Sequence, residues 1–208
     1  MRTEPSTAKG RATVQRVLDA ACDLFARQGI RATTLDQVGS RSGTGRGQLY
    51  LYFAGKSDLV TAVVTQQVQH LLDAQQPLLE SMSTAADVRA WCAAAEQWHA
   101  TDDRARCPIG SLVHELGEHD DAARTALADG FGRWRSALAD ALRRVRDRGE
   151  LAAGLDPEHA AAGLLAAYQG GVLLAGATGD IAPLRLALAT FEATALAEQD
   201  GRPDGRSR

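Results

Sequence analysis

The residues from Thr44 to Lys56 carry side chains that suit the base edges and phosphates of DNA. An arginine such as Arg46 can bond bidentately with guanine, and a glutamine such as Gln48 with adenine, when a helix places them in a major groove. Tyrosine, lysine and threonine side chains, and the amides at helix N-termini, bind phosphates. The run therefore predicts a DNA-binding surface. The expected contact positions are Thr34, which precedes the run, and within it Thr44, Gly45, Arg46, Gly47, Gln48, Tyr50, Leu51, Tyr52 and Lys56.

Charge is divided unevenly along the 208 residues. Residues 1–60 hold nine lysines and arginines and five acids, a balance of +4, whereas the remaining residues carry −7. A basic N-terminal part favours contact with a polyanion. A solvated helical face would give the same small excess, so charge alone leaves both interpretations open.

Other groups of reactive side chains form no complete catalytic or metal site. His114 and His119 stand five residues apart, whereas a helical zinc-protease motif needs its second histidine at the fourth position. The glycines at 43, 45 and 47 follow no strand pattern and do not form a dinucleotide-binding fingerprint. We therefore expect no enzymatic activity, no catalytic residue, no metal site and no cofactor.

Three widely spaced cysteines, Cys22, Cys92 and Cys107, exclude a disulfide framework. Arg104 and Arg106 flank Cys107, and neighbouring positive charge makes a thiol more reactive toward oxidants. An oxidant-sensing thiol and an inert thiol are the two interpretations of Cys107.

The N-terminus and one apolar stretch bear on the cellular location. Residues 1–11 are polar, and the apolar segment of a signal peptide does not follow them. Residues 160–177 form an uncharged stretch of 18 residues, mostly alanine and glycine, interrupted by Tyr168 and Gln169. That length is marginal for a membrane span of about 20 apolar residues. We expect a buried helix in a cytoplasmic protein.

A helical scaffold is expected to position the DNA-binding residues. Aromatic residues make up only 5% of the chain, so leucine, valine and alanine must fill the core, which suits packed helices. Apolar spacings of three and four predict a helix over 11–28, ended by Gly29. A capping box over 34–37 predicts a second helix over 34–41, and a third is predicted over 45–52.

These first three helices form a unit of helix-turn-helix type, because two short helices are joined by a tight turn that contains glycine. We expect its buried residues to be Leu35, Val38, Leu49 and Phe53. The third helix would then present Arg46 and Gln48 to the major groove.

The rest of the chain is predicted to be helical as well. A long helix opens at Lys56, and Pro77 is expected to kink or end it. Further helices are predicted over 84–102, 108–116, 120–148, 157–176 and 181–198. The expected fold class is all-α, with about nine helices. The expected domains are a flexible basic arm (1–10), a DNA-binding domain (11–56), a ligand-binding and dimerisation domain (57–199) and a disordered tail (200–208).

The N-terminal motif resembles that of the TetR family of bacterial transcriptional regulators. The resemblance covers about residues 11–70 and is carried by Thr34-Leu35-Asp36-Gln37-Val38, Gly43, Gly47-Gln48-Leu49-Tyr50-Leu51-Tyr52-Phe53 and Lys56-Ser57-Asp58-Leu59, with Ala20-Ala21, Leu24-Phe25 and Gly29 in the first helix. The later residues resemble the family in the order of their helices, and the segment Cys107-Pro108-Ile109-Gly110 resembles one subgroup.

The resemblance implies a homodimer that binds a palindromic operator, usually represses, and is released by a small-molecule ligand. One recognition helix reads only a few base pairs, so two are needed for useful specificity, with centres about 34–36 Å apart on the DNA. The alternative is a helical enzyme or adaptor that keeps a helix-turn-helix-like head without binding DNA.

Three positions depart from the family pattern. The family commonly has a small apolar residue at the position of Thr44 and a serine at the position of Gly45, so a hydroxyl that could bind phosphate is lost there. Leu51 stands where the family often has a polar ring. We therefore expect fewer direct DNA contacts from Leu51 and more from Tyr52.

The last two predicted helices are the expected dimer surface. Small residues over 161–176 would allow close helix approach, and leucines would bury a four-helix interface. The other interpretation is that the small residues pack inside one subunit. The candidate interface residues are Leu164, Ala167, Gly171, Leu174, Leu184, Leu188 and Phe191.

The middle helices hold Phe131 and all three tryptophans of this chain. Such rings, with a few polar groups, suit an apolar ligand pocket, and they suit an ordinary core equally well. The ligand is therefore expected to be apolar. The candidate ligand-binding residues are Trp91, Trp98, His114, Phe131, Trp134, Tyr168 and Gln169.

Overall fold

The computed structural model describes residues 5–101, 115–116 and 121–197. Those residues form eight α-helices: α1 (Ala8–Ala32), α2 (Leu35–Ser42), α3 (Arg46–Tyr52), α4 (Lys56–Ser81), α5 (Ala85–Thr101), α6 (Asp121–Asp147), α7 (Pro157–Thr178) and α8 (Ala182–Ala195). The predicted all-α fold class is confirmed. The predicted tail over 200–208, His114, His119, Cys107 and all but the last two residues of the predicted 108–116 helix lie outside the described residues.

Helix α1 begins earlier than predicted. Thr7 is its N-cap and accepts a hydrogen bond from the Gly10 amide, so residues 8–10, expected to be part of a flexible arm, are helical. Its apolar face buries Val14, Val17 and other residues at helical spacing. Gly29 interrupts the helix with φ +82°, a conformation that side chains with a Cβ rarely adopt.

A hydrogen bond to a residue far away in the sequence stabilises the chain where α1 is interrupted. The amide of Ile30, just after Gly29, donates to the carboxylate of Glu115. A Cβ on Gly29 would lie 2.9 Å from the same carboxylate. Gly29 is therefore favoured by its φ, whereas the flexible Glu115 side chain could move aside from a Cβ.

The turn between α2 and α3 is tight. Thr34 and Gln37 make the predicted capping box at the start of α2, and Gly43 ends α2 at φ +64°. The Thr44 amide then donates to the Gly39 carbonyl at 2.9 Å. Val38, Leu49 and Phe53 are buried as predicted, and Leu35 is half-buried.

The contacts divide the chain into two compact units. Unit 1 contains residues 1–74 and 108–132, and unit 2 contains residues 75–107 and 133–208. The predicted domain boundary at residue 56 does not coincide with this division. The contact boundary at Ala74 and Gln75 lies within one helical turn of Pro77 in α4.

Pro77 does not end α4, which continues to Ser81. The final turn is held by contacts from α6, because the Arg144 guanidinium donates to the carbonyls of Leu79 and Met82. Leu79 and Met82 are themselves buried. Tertiary contacts of this kind offset the hydrogen bond that a proline removes from a helix.

In unit 2, α7 and α8 pack closely on each other. A Cβ on Gly171 would lie 2.7 Å from the Leu184 Cα, so only glycine allows this approach. Asp156 and Pro157 open α7, and Gly179 ends it at φ +69°. Helix α8 ends at Ala195 rather than near 198, because the chain there pairs with residues 150–152 through an isolated bridge between Leu151 and Leu196.

Candidate DNA-binding interface

Helix α3 has a buried side and an exposed side. Leu49 and Tyr52 are buried, and Phe53 immediately follows them in the core. Arg46, Gln48, Tyr50 and Leu51 are exposed. The helix is thus fixed by its apolar side while it offers arginine, glutamine, tyrosine and leucine side chains to an incoming partner.

Arg46, the first residue of α3, is oriented by two neighbours. Its Nε lies 3.8 Å from an Asp36 Oδ1 of α2, and its guanidinium carbon lies 5.8 Å from the centre of the Tyr50 ring. Hydrogen bonding with the Tyr50 side chain, and then the nearby Asp36 carboxylate, raise the pKa of Arg46 above its ordinary value. Arg46 therefore keeps its positive charge at every pH of interest.

A groove of about 380 Å³ runs between α2 and α3. Asp36, Arg46 and Tyr50 line it together with Gly43, Thr44 and Gly45 from the turn. The Thr44 hydroxyl is buried and has no hydrogen-bond partner among the described residues. Thr44 is 5% exposed, so its side chain mainly fills the turn.

Gly45 and Gly47 leave the start of α3 open. A Cβ at either position would meet no atom within 4 Å. Gly45 is the N-cap of α3, and because glycine has no side chain, no side-chain hydrogen bond caps this end of the helix. Phosphate contacts by the backbone amides at this end of α3 stay a prediction.

The environments of Leu51 and Tyr52 are opposite to those expected. Leu51 is 54% exposed, whereas Tyr52 is 8% exposed and its hydroxyl lies beside Gly10 of α1. The expectation that Tyr52 contributes more DNA contacts than Leu51 is therefore wrong. Tyr52 belongs to the core because it lies on the same side of α3 as Leu49, three residues before it.

Lys56 lies at the start of α4 and is tied to α1. Its Nζ donates to the Arg31 carbonyl at 3.0 Å. An ammonium group has three donors, so this bond is compatible with a further contact to phosphate. Thr34, at the start of α2, is exposed, although its hydroxyl already serves the capping box. Phosphate contacts by both residues stay predictions.

Three rings surround that of Tyr168 in unit 2. Its ring centre lies 5.8 Å from that of Trp91, 5.5 Å from that of His99 and 5.2 Å from that of Trp134. The Tyr168 hydroxyl and His99 Nε2 are 2.7 Å apart, a hydrogen bond. The Trp91 indole donates to Gln75, whereas the buried Trp134 indole N–H has no hydrogen-bond partner in the part of the chain that the structure describes.

This cluster brings together three of the predicted ligand residues, Trp91, Trp134 and Tyr168. Gln169 is half-buried next to Tyr168. Trp98 is 58% exposed, and Phe131 is half-buried in unit 1. His114 lies outside the described residues. A role in ligand binding stays a prediction for each.

Sequence reasoning missed His99. The buried positions of α5 include Val88, Cys92, Ala95 and His99, which are spaced four, three and four residues apart. This spacing defines the buried stripe of a helix, and a histidine on it should be a polar member of the core. Trp98 stands three residues after Ala95 and seven after Trp91, so helical spacing alone does not explain why it is 58% exposed.

Most of the candidate dimer residues are buried within one chain. Leu164, Leu184 and Leu188 are fully buried, Phe191 is nearly so, and Gly171 packs on Leu184. The interpretation that small residues pack inside one subunit therefore holds for Gly171. Ala167 is half-buried and Leu174 is exposed. Leu173, another leucine expected at the interface, and Leu186 are exposed as well.

Comparisons with known proteins agree with this fold. The family described as "Tetracyclin repressor-like, C-terminal domain" matches residues 84–191, and "Bacterial regulatory proteins, tetR family" matches residues 17–63. The chain belongs to the TetR family of bacterial regulatory proteins.

Three relatives illustrate the similarity. The chain is 38% identical over 68 residues to the uncharacterized regulator TtgW of Pseudomonas putida, covering 33% of this chain and half of that protein. It is 28% identical over 196 residues to the uncharacterized regulator Rv0196 of Mycobacterium tuberculosis, covering 88% and 94%. The structure of SmeT, the repressor of the Stenotrophomonas maltophilia multidrug efflux pump SmeDEF, matches with a TM-score of 0.73 and 28% identity over 91% of this chain and 93% of that chain.

Among the described residues, α7 is the one helix long and apolar enough to cross a membrane. The core helix of a soluble protein has the same properties, and TetR-family regulators are soluble DNA-binding proteins. The packing of Gly171 on Leu184 places one side of α7 against protein rather than lipid.

Proposed function

We propose that this protein is a transcriptional repressor that binds a palindromic operator as a homodimer and is released by a small-molecule ligand. The observation that carries the proposal is the exposed side of α3, where Arg46, Gln48 and Leu51 stand on a helix anchored by Leu49 and Phe53. These three side chains match guanine, adenine and the thymine methyl group, respectively.

Exposed leucines on α7 and α8 support a dimer. Leu173 and Leu174 of α7 and Leu186 of α8 are among the large apolar side chains that the chain leaves most exposed. Exposed apolar side chains from two neighbouring helices mark a protein interaction site. We assign the dimer contact to these leucines, with Ala167 beside them, in place of the leucines buried within the chain.

The ring cluster around Tyr168 supports an apolar aromatic ligand. Aromatic walls with a few polar groups are typical of small-molecule sites. SmeT has been crystallised as a complex with triclosan. We infer that this chain binds a flat apolar molecule next to Trp91, Trp134 and Tyr168, acts by binding alone without catalysis, and resides in the cytoplasm.

Binding to DNA from beside its own gene tests the proposal. A labelled duplex of that region should bind with an affinity that falls steeply with salt, since each neutralised phosphate adds about 0.9 to the slope of log K against log salt. Fluorescence anisotropy at several KCl concentrations measures it. Binding of equal strength to a scrambled duplex at all salt concentrations would contradict the proposal.

Three substitutions test the assigned contacts. Arg46→Ala and Gln48→Ala should each relax base preference at one position of a half-site, at a cost of about 1–3 kcal/mol. Lys56→Ala should weaken binding to all sequences and lower the salt slope by about one. Arg135→Ala, an exposed arginine of α6, is the matched control. If the three variants bind like the control, the site assignment is wrong.

A further inference from the structure

A carboxylate stands at the mouth of the groove that faces DNA. Asp36 lies in the first turn of α2 and lines the groove with Arg46 and Tyr50. Its side chain is 73% exposed, the same fraction as that of Arg46. A negative charge here repels the phosphates of DNA, so its presence opposes affinity for DNA in general.

Two general roles of Asp36 do not account for this location. An acid in the first turn of a helix interacts favourably with the helix dipole, but a position on the other side of α2 would serve equally well. An exposed ion pair at 3.8 Å contributes little to the stability of a fold. Neither role requires the carboxylate to lie beside the arginine that faces DNA.

The atoms in contact indicate a third role. Asp36 approaches the Nε atom of Arg46, on one side of the guanidinium. The guanidinium carbon lies 5.8 Å from the centre of the Tyr50 ring. An arginine that bonds guanine O6 and N7 end-on uses its two terminal nitrogens. The Arg46 atom in contact with Asp36 is Nε rather than a terminal nitrogen, and the carboxylate and the ring together restrict the rotation of a long, flexible side chain. Restriction before binding lowers the entropy cost of making the bidentate contact.

We propose that Asp36 is a specificity-determining residue, which positions the Arg46 guanidinium to read guanine and disfavours its use on phosphates. The proposal rests on the proposed function as a DNA-binding regulator. Asp36 acts through Arg46 and makes no base contact of its own.

Two opposite effects follow from replacing the carboxylate. Asp36→Asn should reduce the preference for guanine at the Arg46 position by about fivefold, a part of the discrimination that a bidentate contact provides. The same variant should bind non-specific duplex at least as tightly as the parent, because one repulsive charge is removed. A residue needed only for folding would lower both quantities together.

The test is a selection of binding sites from a duplex library with about 20 randomised base pairs, followed by affinity measurements on the selected site and its single-base variants. The matched control is Asp19→Asn on α1, which removes one negative charge from an exposed acid outside the groove. Both variants should melt within about 4 °C of the parent, because neither side chain is buried.

A double-mutant cycle then separates positioning from direct reading. In an Arg46→Ala background, Asp36→Asn should have no effect on the preference for guanine, since the group that it positions is gone. An effect that persists there means that Asp36 reads a base directly and overturns the proposal. Equal behaviour of Asp36→Asn and Asp19→Asn also overturns it. A parent protein that selects no sequence overturns the proposed function itself.

Discussion

Leu51 and Tyr52, neighbours in α3, differ in what their side chains do: one is exposed and the other is part of the core. Leu51 points outward and is more than half exposed, whereas Tyr52 packs inside the DNA-binding unit near Gly10. An exposed leucine on a recognition helix suits a thymine methyl group, which only the major groove displays. A buried tyrosine contributes stability instead.

Substitution of these two residues by alanine should separate DNA binding from stability. Leu51→Ala should weaken binding to the selected site by about 1 kcal/mol while the melting temperature stays unchanged, since one apolar contact is lost. Tyr52→Ala should lower the free energy of unfolding by about 3–5 kcal/mol, as for other buried aromatic residues. Anisotropy and thermal unfolding of both variants measure the two effects. A stable Tyr52→Ala protein would contradict the assignment of Tyr52 to the core.

At the element scale, close approach between α4 and α6 depends on one glycine. A Cβ on Gly130 would lie 2.5 Å from a Val68 methyl carbon, whereas a Cβ on Gly132 would meet nothing within 4 Å. A valine cannot move its methyl groups aside by changing a distant torsion, because its branch is at Cβ. A side chain at position 130 of α6 would therefore clash with Val68, whereas one at position 132 would fit.

Gly130→Ala should destabilise the protein by about 1–3 kcal/mol through overpacking. Gly132→Ala, two residues away in the same helix, should stabilise it by up to about 1 kcal/mol, because alanine favours helix more than glycine does. The melting temperatures of the two variants should therefore move in opposite directions. Equal shifts would show that α4 and α6 do not approach as closely as described.

The stabilisation that Asp87 provides at the start of α5 should depend on pH. Asp87 accepts hydrogen bonds from the amides of Ser83 and Thr84, both at 2.9 Å. The Ser83 amide first, and then Thr84, lower the pKa of Asp87 below its ordinary 3.8. A group whose pKa is lower in the folded state stabilises the fold above its unfolded pKa, and this stabilisation is lost as the pH falls through the folded pKa.

Asp87→Ala should therefore cost about 1 kcal/mol at pH 7, as for other lost helix caps. The difference between variant and parent should shrink below about pH 4, where the unfolded carboxyl is protonated. Thermal unfolding of both proteins from pH 7 to pH 3 measures it. A difference that is constant across this range would contradict the capping role.

Local signals predicted most helix boundaries. The capping box at Thr34, the Asp156-Pro157 start of α7 and the positive φ of Gly29 involve residues close in sequence, so they could be predicted. Continuation of α4 past Pro77 depends on Arg144, more than 60 residues away, and could not. The DNA-binding positions named from the sequence stay predictions, and Asp36 was not among them, because the role proposed for it depends on a contact between two helices.

At the scale of the whole molecule, the proposed function requires two copies of the chain. Leu173, Leu174 and Leu186 are the side chains that we assign to the contact between them. Since one α3 reads only a few base pairs, loss of this contact should abolish operator binding without altering α3 itself.

Leu173→Glu combined with Leu186→Glu should convert the dimer into a monomer, because a carboxylate buried at an apolar interface is strongly unfavourable. Light scattering after size-exclusion chromatography measures the mass against the 22.1 kDa of one chain. Leu78→Glu, an exposed leucine of α4, is the matched control and should leave the dimer intact. A double variant that stays dimeric would place the interface elsewhere.

Footprinting on the selected duplex tests the central claim most directly. Hydroxyl-radical cleavage should show two protected half-sites on one face of the DNA, with centres about 10 base pairs apart or a multiple of that spacing, and Arg46→Ala should abolish the protection. A single protected half-site, or protection that Arg46→Ala leaves unchanged, would contradict reading by two copies of α3.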